Sequence, residues 1–143
     1  MVSVIVKDIE AALSKIIELQ NYYVSKVCSK CINPCCRRVG YLYSDKDILF
    51  LRLSGKNPVR KIRGHRRKGC IFLGPEGCLL DALSRPFICH RYICPELEKT
   101  IKEDNPEILY ALEDRFKLVD EMRGRMWSEY LDSVMRAGTE GRI

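Results

Sequence analysis

The run NPEILYALEDRFKLVDEMRGRMWSEYLDSVMRAG, residues 105–138, decides the architecture. Leu109, Leu112, Phe116, Val119, Met122, Met126, Trp127, Tyr130 and Val134 recur at close to helical spacing, so a helix gathers them into one apolar stripe. Asn105 can cap that helix, Pro106 fits its first turn, and Glu107 suits the positive end of its dipole. Gly138 is where the helix is expected to end. A stripe of this length needs a partner. Near the start of the chain Ile9, Leu13, Ile16, Tyr23 and Val27 keep the same period, with Lys7, Glu10, Lys15 and Glu18 mostly opposite and Asp8 as a candidate cap. Packing of the two terminal helices on one another is the plain expectation. A coiled-coil dimer seam is the lesser one.

Between them lies a zone that contains every cysteine, from Cys28 to Cys94. Ser44 before Asp45-Lys46-Asp47 has the form of a helix start, and Ser54-Gly55 with Pro58 behind it the form of an end. Cys70-Ile71-Phe72-Leu73, then Gly74-Pro75-Glu76-Gly77, then Cys78-Leu79-Leu80 read as a β-hairpin, with Pro and Gly where a turn wants them. Arg85-Pro86 then interrupts the chain, so a short helix or loop approaches Cys89. The expectation is a mostly α fold with one small hairpin, an α+β protein of a single domain. Residues 1–27 form an N-terminal helix, 28–94 the cysteine-rich middle, and 95–143 a C-terminal helical region. The two terminal amphipathic helices pack around the middle.

A chain of 143 residues with 46% hydrophobic content can bury its own core, so the eight cysteines are not needed as staples. No apolar stretch is long enough to span a membrane, and the opening Met1-Val2-Ser3-Val4-Ile5-Val6-Lys7-Asp8 lacks the form of a signal peptide. A reducing cytoplasm is therefore expected, where thiols favour metal over disulfides. Disulfides remain the alternative in heat-loving organisms.

The cysteines fall as Cys28-x2-Cys31-x3-Cys35-Cys36, then Cys70-x7-Cys78-x10-Cys89-x4-Cys94. The short first spacing lets a tight turn aim two sulfurs at one point. Cys70 and Cys78 flank the expected turn, and Cys89 and Cys94 lie one helical turn or one loop apart. Cys35 and Cys36 are adjacent, and adjacent side chains in extended chain point to opposite sides. They suit two centres, or one polynuclear cluster, better than a single ion. Eight thiolates also divide into two complete four-sulfur sites. Zn2+ and iron, the latter also as an iron–sulfur cluster, both accept four thiolates. The plain alternative is that some cysteines are small buried hydrophobes. Two four-thiolate zinc sites would carry net negative charge, which Arg37, Arg38, Arg85 and Arg91 could offset.

These motifs resemble those of the CxxCxxCC cysteine-cluster family (YkgJ-like), described as a zinc- or iron-chelating domain. The residues that carry the resemblance are Cys28, Cys31 and Cys35-Cys36, then Gly69-Cys70-Ile71-Phe72-Leu73, Gly77-Cys78, and Arg85-Pro86-Phe87-Ile88-Cys89-His90-Arg91-Tyr92-Ile93-Cys94. They cover about half the chain. The gap before Cys35-Cys36 is one residue longer than the family's, His90 stands at the usual Arg, and Ile93 replaces a usual Pro. The resemblance implies metal chelation by all eight cysteines and no particular substrate. The cluster also looks to be embedded in flagellin lysine methylases, so an iron–sulfur redox or methyl-transfer accessory enzyme is the first alternative.

From Ile48 to Pro75 there is no acid, and Arg60, Lys61, Arg63, Arg66, Arg67 and Lys68 crowd one short run. That run could hold an anionic partner or nucleic acid, the second alternative. No aromatics interleave it, so base stacking is unsupported and a solvated loop is the plain reading. Catalysis is unsupported: there is no Gly-rich phosphate loop, HExxH or Gly-x-Ser-x-Gly. Asp81 and Glu96 are read as surface acids or caps. His65 is read as a loop residue, and His90 as a lesser candidate ligand beside Cys89.

Overall fold

The computed structural model describes residues 2–27, 43–56, 73–74, 77–78 and 80–140, with only the backbone described for Val2, 73–74, 77–78 and 138–140. Five α-helices dominate these residues: α1 (Val2–Val27), α2 (Asp45–Leu53), α3 (Phe87–Arg91), α4 (Pro95–Asp104) and α5 (Glu107–Glu140). A 3-10 turn, Ala82–Ser84, precedes α3.

The fold class is all-α, which corrects the α+β expectation. Where a hairpin is expected, Leu73–Gly74 runs antiparallel to Gly77–Cys78, with Leu73 opposite Cys78 and Gly74 opposite Gly77. Among the described residues, two a side make neither a layer nor a face to bury. The remaining residues of the expected strands, 70–72 and 79, lie outside the described residues.

α1 and α5 share the most extensive interface. Their contact buries Ile5, Val6, Ile9, Leu13 and Ile16 of α1 against the stripe of α5, where Leu112, Phe116, Val119, Met122 and Met126 are buried. The outer end of that stripe, Tyr130 and Val134, is exposed. α1 begins six residues before Asp8, which therefore lies inside the helix and does not cap it. α5 runs through Gly138 to Glu140, past the expected stop. Asn105 does bond the start of α5, its Oδ1 accepting from the Glu107 N–H at 3.2 Å.

α2 has the start its sequence requires. Ser44 Oγ accepts from the Asp47 N–H at 3.2 Å, and Asp47 Oδ2 accepts from the Ser44 N–H at 2.9 Å, which makes a reciprocal capping box. Its end is a Schellman motif. Gly55 takes the left-handed conformation at φ 78°, Lys56 N–H donates to Leu51 O, and Gly55 N–H donates to Arg52 O.

α4 joins the core through Leu97 and Ile101, and Asp104 at its end accepts from the Tyr23 hydroxyl at 2.6 Å. That bond, with burial second, raises the Tyr23 pKa from 10.0 to about 12. Because the folded pKa lies above the unfolded one, this contribution to stability is complete below pH 10 and is lost as pH rises to about 12. Tyr23→Phe should therefore flatten that part of the pH dependence. Denaturant midpoints of the two proteins, compared across the window, check it. Parallel falls in the two midpoints would count against the bond.

Among the described residues, no helix is long and apolar enough to cross a membrane.

Candidate functional site

The segment from Arg85 to Cys94 carries the two cysteines whose side chains are described, and four tertiary interactions fix it. The first is built on Asp47. Its Oδ1 accepts from the Phe87 N–H at 3.1 Å and from Arg123 Nη2 at 2.7 Å, while its Oδ2 remains with the α2 cap. Phe87 opens α3, where the first N–H groups have no partner within the helix. One carboxylate thus ties the start of α2, the start of α3 and the middle of α5. Arg123 also donates to Ser44 Oγ at 3.2 Å, and its guanidinium lies 4.7 Å from the Phe87 ring centre. Burial pulls the Arg123 pKa down, and the charges of Asp47 and Asp120 work against that shift.

Gln20 makes the second tie, donating from Nε2 to the His90 carbonyl at 2.7 Å in the interior. Third, Arg91 pairs with Asp120 at 2.6 Å, with its guanidinium 5.8 Å from the Phe116 ring centre. Fourth, Phe87 meets Phe116 edge-on at 6.5 Å between centroids. Upstream, the Tyr43 hydroxyl donates to Ser84 O, and Asp81 caps the 3-10 turn through Ser84. The reading of Asp81 as a cap is met. Glu96 is an exposed acid in the first turn of α4.

Cys89 and Cys94 are both half-buried. Cys94 caps α4, its Sγ accepting from the Leu97 N–H at 3.4 Å, with Pro95 in the first turn. His90 is 4% exposed. Burial, followed by the nearby charge of Arg85, pushes its pKa down to about 4, so its ring is neutral near pH 7. Its Nε2 is buried and has no hydrogen-bond partner. Arg85 Nε is likewise buried without one.

Of the other expected ligands, Cys28, Cys31, Cys35, Cys36 and Cys70 lie outside the described residues, as do His65 and the basic run 60–68, and Cys78 is described by its backbone alone. Among the described residues, no three His, Cys, Asp or Glu side chains come together as a metal-holding group. The structure therefore brings the expected ligands Cys89 and Cys94 onto one short, anchored segment. Arg91, a candidate for offsetting thiolate charge, is engaged by Asp120.

Asp47, Gln20 and Arg123 are the residues that sequence reasoning misses. Asp47 carries a visible capping signal, but its bonds to Phe87 and Arg123 span 40 and 76 positions. No local pattern announces a partner that far away.

No family model matches the chain, and neither the curated proteins nor the solved structures yield a significant match.

Proposed function

We propose that the chain is a metal-binding protein whose cysteines hold zinc or iron in one or two thiolate-ligated centres. The observation that carries this reading is the cysteine spacing, with its adjacent Cys35-Cys36 pair and its later Cys89-x4-Cys94. The resemblance to the CxxCxxCC cysteine-cluster family supports it. So does the anchoring of the Cys89–Cys94 segment, where a buried carboxylate, a buried amide and an aromatic pair all hold a helix of five residues. Rigid support behind a ligand is what a metal site needs, because loosely held ligands bind weakly. A reducing compartment such as the cytoplasm would keep the thiols available.

Metal quantitation on protein purified without oxygen tests the proposal. The expected result is more than one metal ion per chain, with visible absorption if the metal is an iron–sulfur cluster and none if it is zinc. Protein with no metal and eight titratable free thiols would overturn it.

A further inference from the structure

We infer that the protruding end of α5 is a self-association surface, on which a second copy of this chain packs its own α5 end in the antiparallel direction. The contact is independent of the thiolate reading.

α5 has 34 residues and α1 has 26, so at 1.5 Å per residue α5 outruns its partner by about 12 Å. The Tyr23–Asp104 bond sets the end of α1 beside the start of α5, so the two helices run antiparallel and the excess falls at the far end of α5. There, every residue from Tyr130 to Ala137 is exposed. Protruding turns gain little by themselves in water, since most helical stability comes from packing of an apolar face. This end has such a face. At 100° per residue Trp127, Tyr130, Leu131, Val134 and Gly138 fall within about 100° of arc, and Met135 flanks them. The Trp127 and Tyr130 ring centres lie 6.1 Å apart, in keeping with one shared side. Leu131 is 41% exposed and Val134 48%.

Charge and shape along this face both fit a second copy. Glu129, Asp132 and Arg136 stand on the opposite side of the helix, so the apolar face carries no charge. An acidic or basic partner finds nothing to pair with there, and two copies meet without opposed like charges. In size the face runs from bulky to small, with Trp127 and Tyr130 at one end and Ala137 and Gly138 at the other. A twofold axis between Asp132 and Ser133 sets Trp127 of each copy opposite Gly138 of the other, where the missing side chain leaves room for the indole. The same register sets Tyr130 opposite Met135 and Leu131 opposite Val134. A parallel pair would instead crowd Trp127 against Trp127 and leave a gap at Gly138, whereas large against small fills the seam. Antiparallel pairing also opposes the two helix dipoles. The overlap is only about 18 Å of helix, which buries less than the roughly 800 Å² per partner of a standard interface. The dimer is therefore weak and concentration-dependent, with a Kd in the micromolar range or above.

Sedimentation of the full chain, with reductant present to prevent intermolecular disulfides, tests the inference between about 1 and about 500 µM. A monomer at the low end and a dimer at the high end are expected. The emission of Trp127, the chain's single tryptophan, should move to the blue as the dimer forms. Leu131→Lys and Val134→Glu alter exposed positions, so each should keep the wild-type helical signal while weakening association about tenfold or more. Mixing the two variants should recover most of the association, because only the antiparallel register sets position 131 of one copy against position 134 of the other. A wild-type monomer at every concentration would overturn the inference; if the two variants were then also less stable, another part of the same chain covers the face. A dimer unchanged in both variants would overturn it too, since the contact would lie elsewhere. Weakening that mixing does not repair would rule out the antiparallel seam.

Discussion

Asp47→Ala is expected to destabilise the protein by about 3–5 kcal/mol, the usual cost of removing one partner of a buried ion pair. Asp47 and Arg123 pair at 2.7 Å with side chains only 9% and 12% exposed. The substitution strands a buried guanidinium and leaves the Phe87 N–H without its acceptor. It also removes half of the α2 capping box. Domains are stable by only about 5–15 kcal/mol, so this one carboxylate accounts for a large share of the total. Denaturant unfolding measures the loss. Arg123→Met alone should also be costly, while Asp47→Ala with Arg123→Met should cost clearly less than the sum of the two, because the double variant leaves no stranded charge. A loss below about 1 kcal/mol for Asp47→Ala would mean that the junction does not hold the segment.

A comparable loss, about 3–5 kcal/mol, is expected for Phe116→Ala, and here the cause is a cavity. Phe116 is among the largest fully buried side chains. It lies in the α5 stripe, meets Phe87 edge-on, and stacks under the Arg91 guanidinium. Truncation removes apolar contact and loosens α3 at two points. Metal content should fall with stability if the α3 segment presents a ligand. Leu118→Ala, on the same helix but 40% exposed, is the control and should change stability by less than about 0.5 kcal/mol. Similar losses in the two variants would contradict the packing described.

What was legible in the sequence was local. The start of α2 at Ser44, its end at Gly55 and the stripe of α5 each rest on residues within one or two turns of each other, and each lies where expected. α4 was not read as a helix of its own, since 95–143 reads only as a helical region, although Pro95 in the first turn, Glu96 and Glu98 behind it, and Leu97 and Ile101 four apart carry its local signal. Two local signals misled. Asp8 looks like a cap because the apolar run before it gives no helical phase, yet Ile5 and Val6 are buried on α1. Gly-Pro-Glu-Gly suggests a hairpin, but turn residues say nothing about whether flanking strands have a surface to pair on. The candidate site was legible only as a spacing of sulfurs. Its supports were not, because Gln20 meets His90 across 70 positions and Asp47 meets Arg123 across 76. Those contacts depend on the packing of α1 against α5, which follows from periodicity, and on the angle at which α3 is carried, which does not.

Under the proposed reading, Cys94 places two demands on a single atom. Serine, threonine, aspartate and asparagine cap helices well because their oxygens accept strongly from the first N–H groups. Thiol sulfur is a weak acceptor, and at 3.4 Å from the Leu97 N–H it starts α4 with less support than an oxygen would give. At this position helix formation and sulfur chemistry favour different residues. The chain has the sulfur, so under the proposed metal-binding reading α4 gives up part of its own stability to keep a ligand at its first turn.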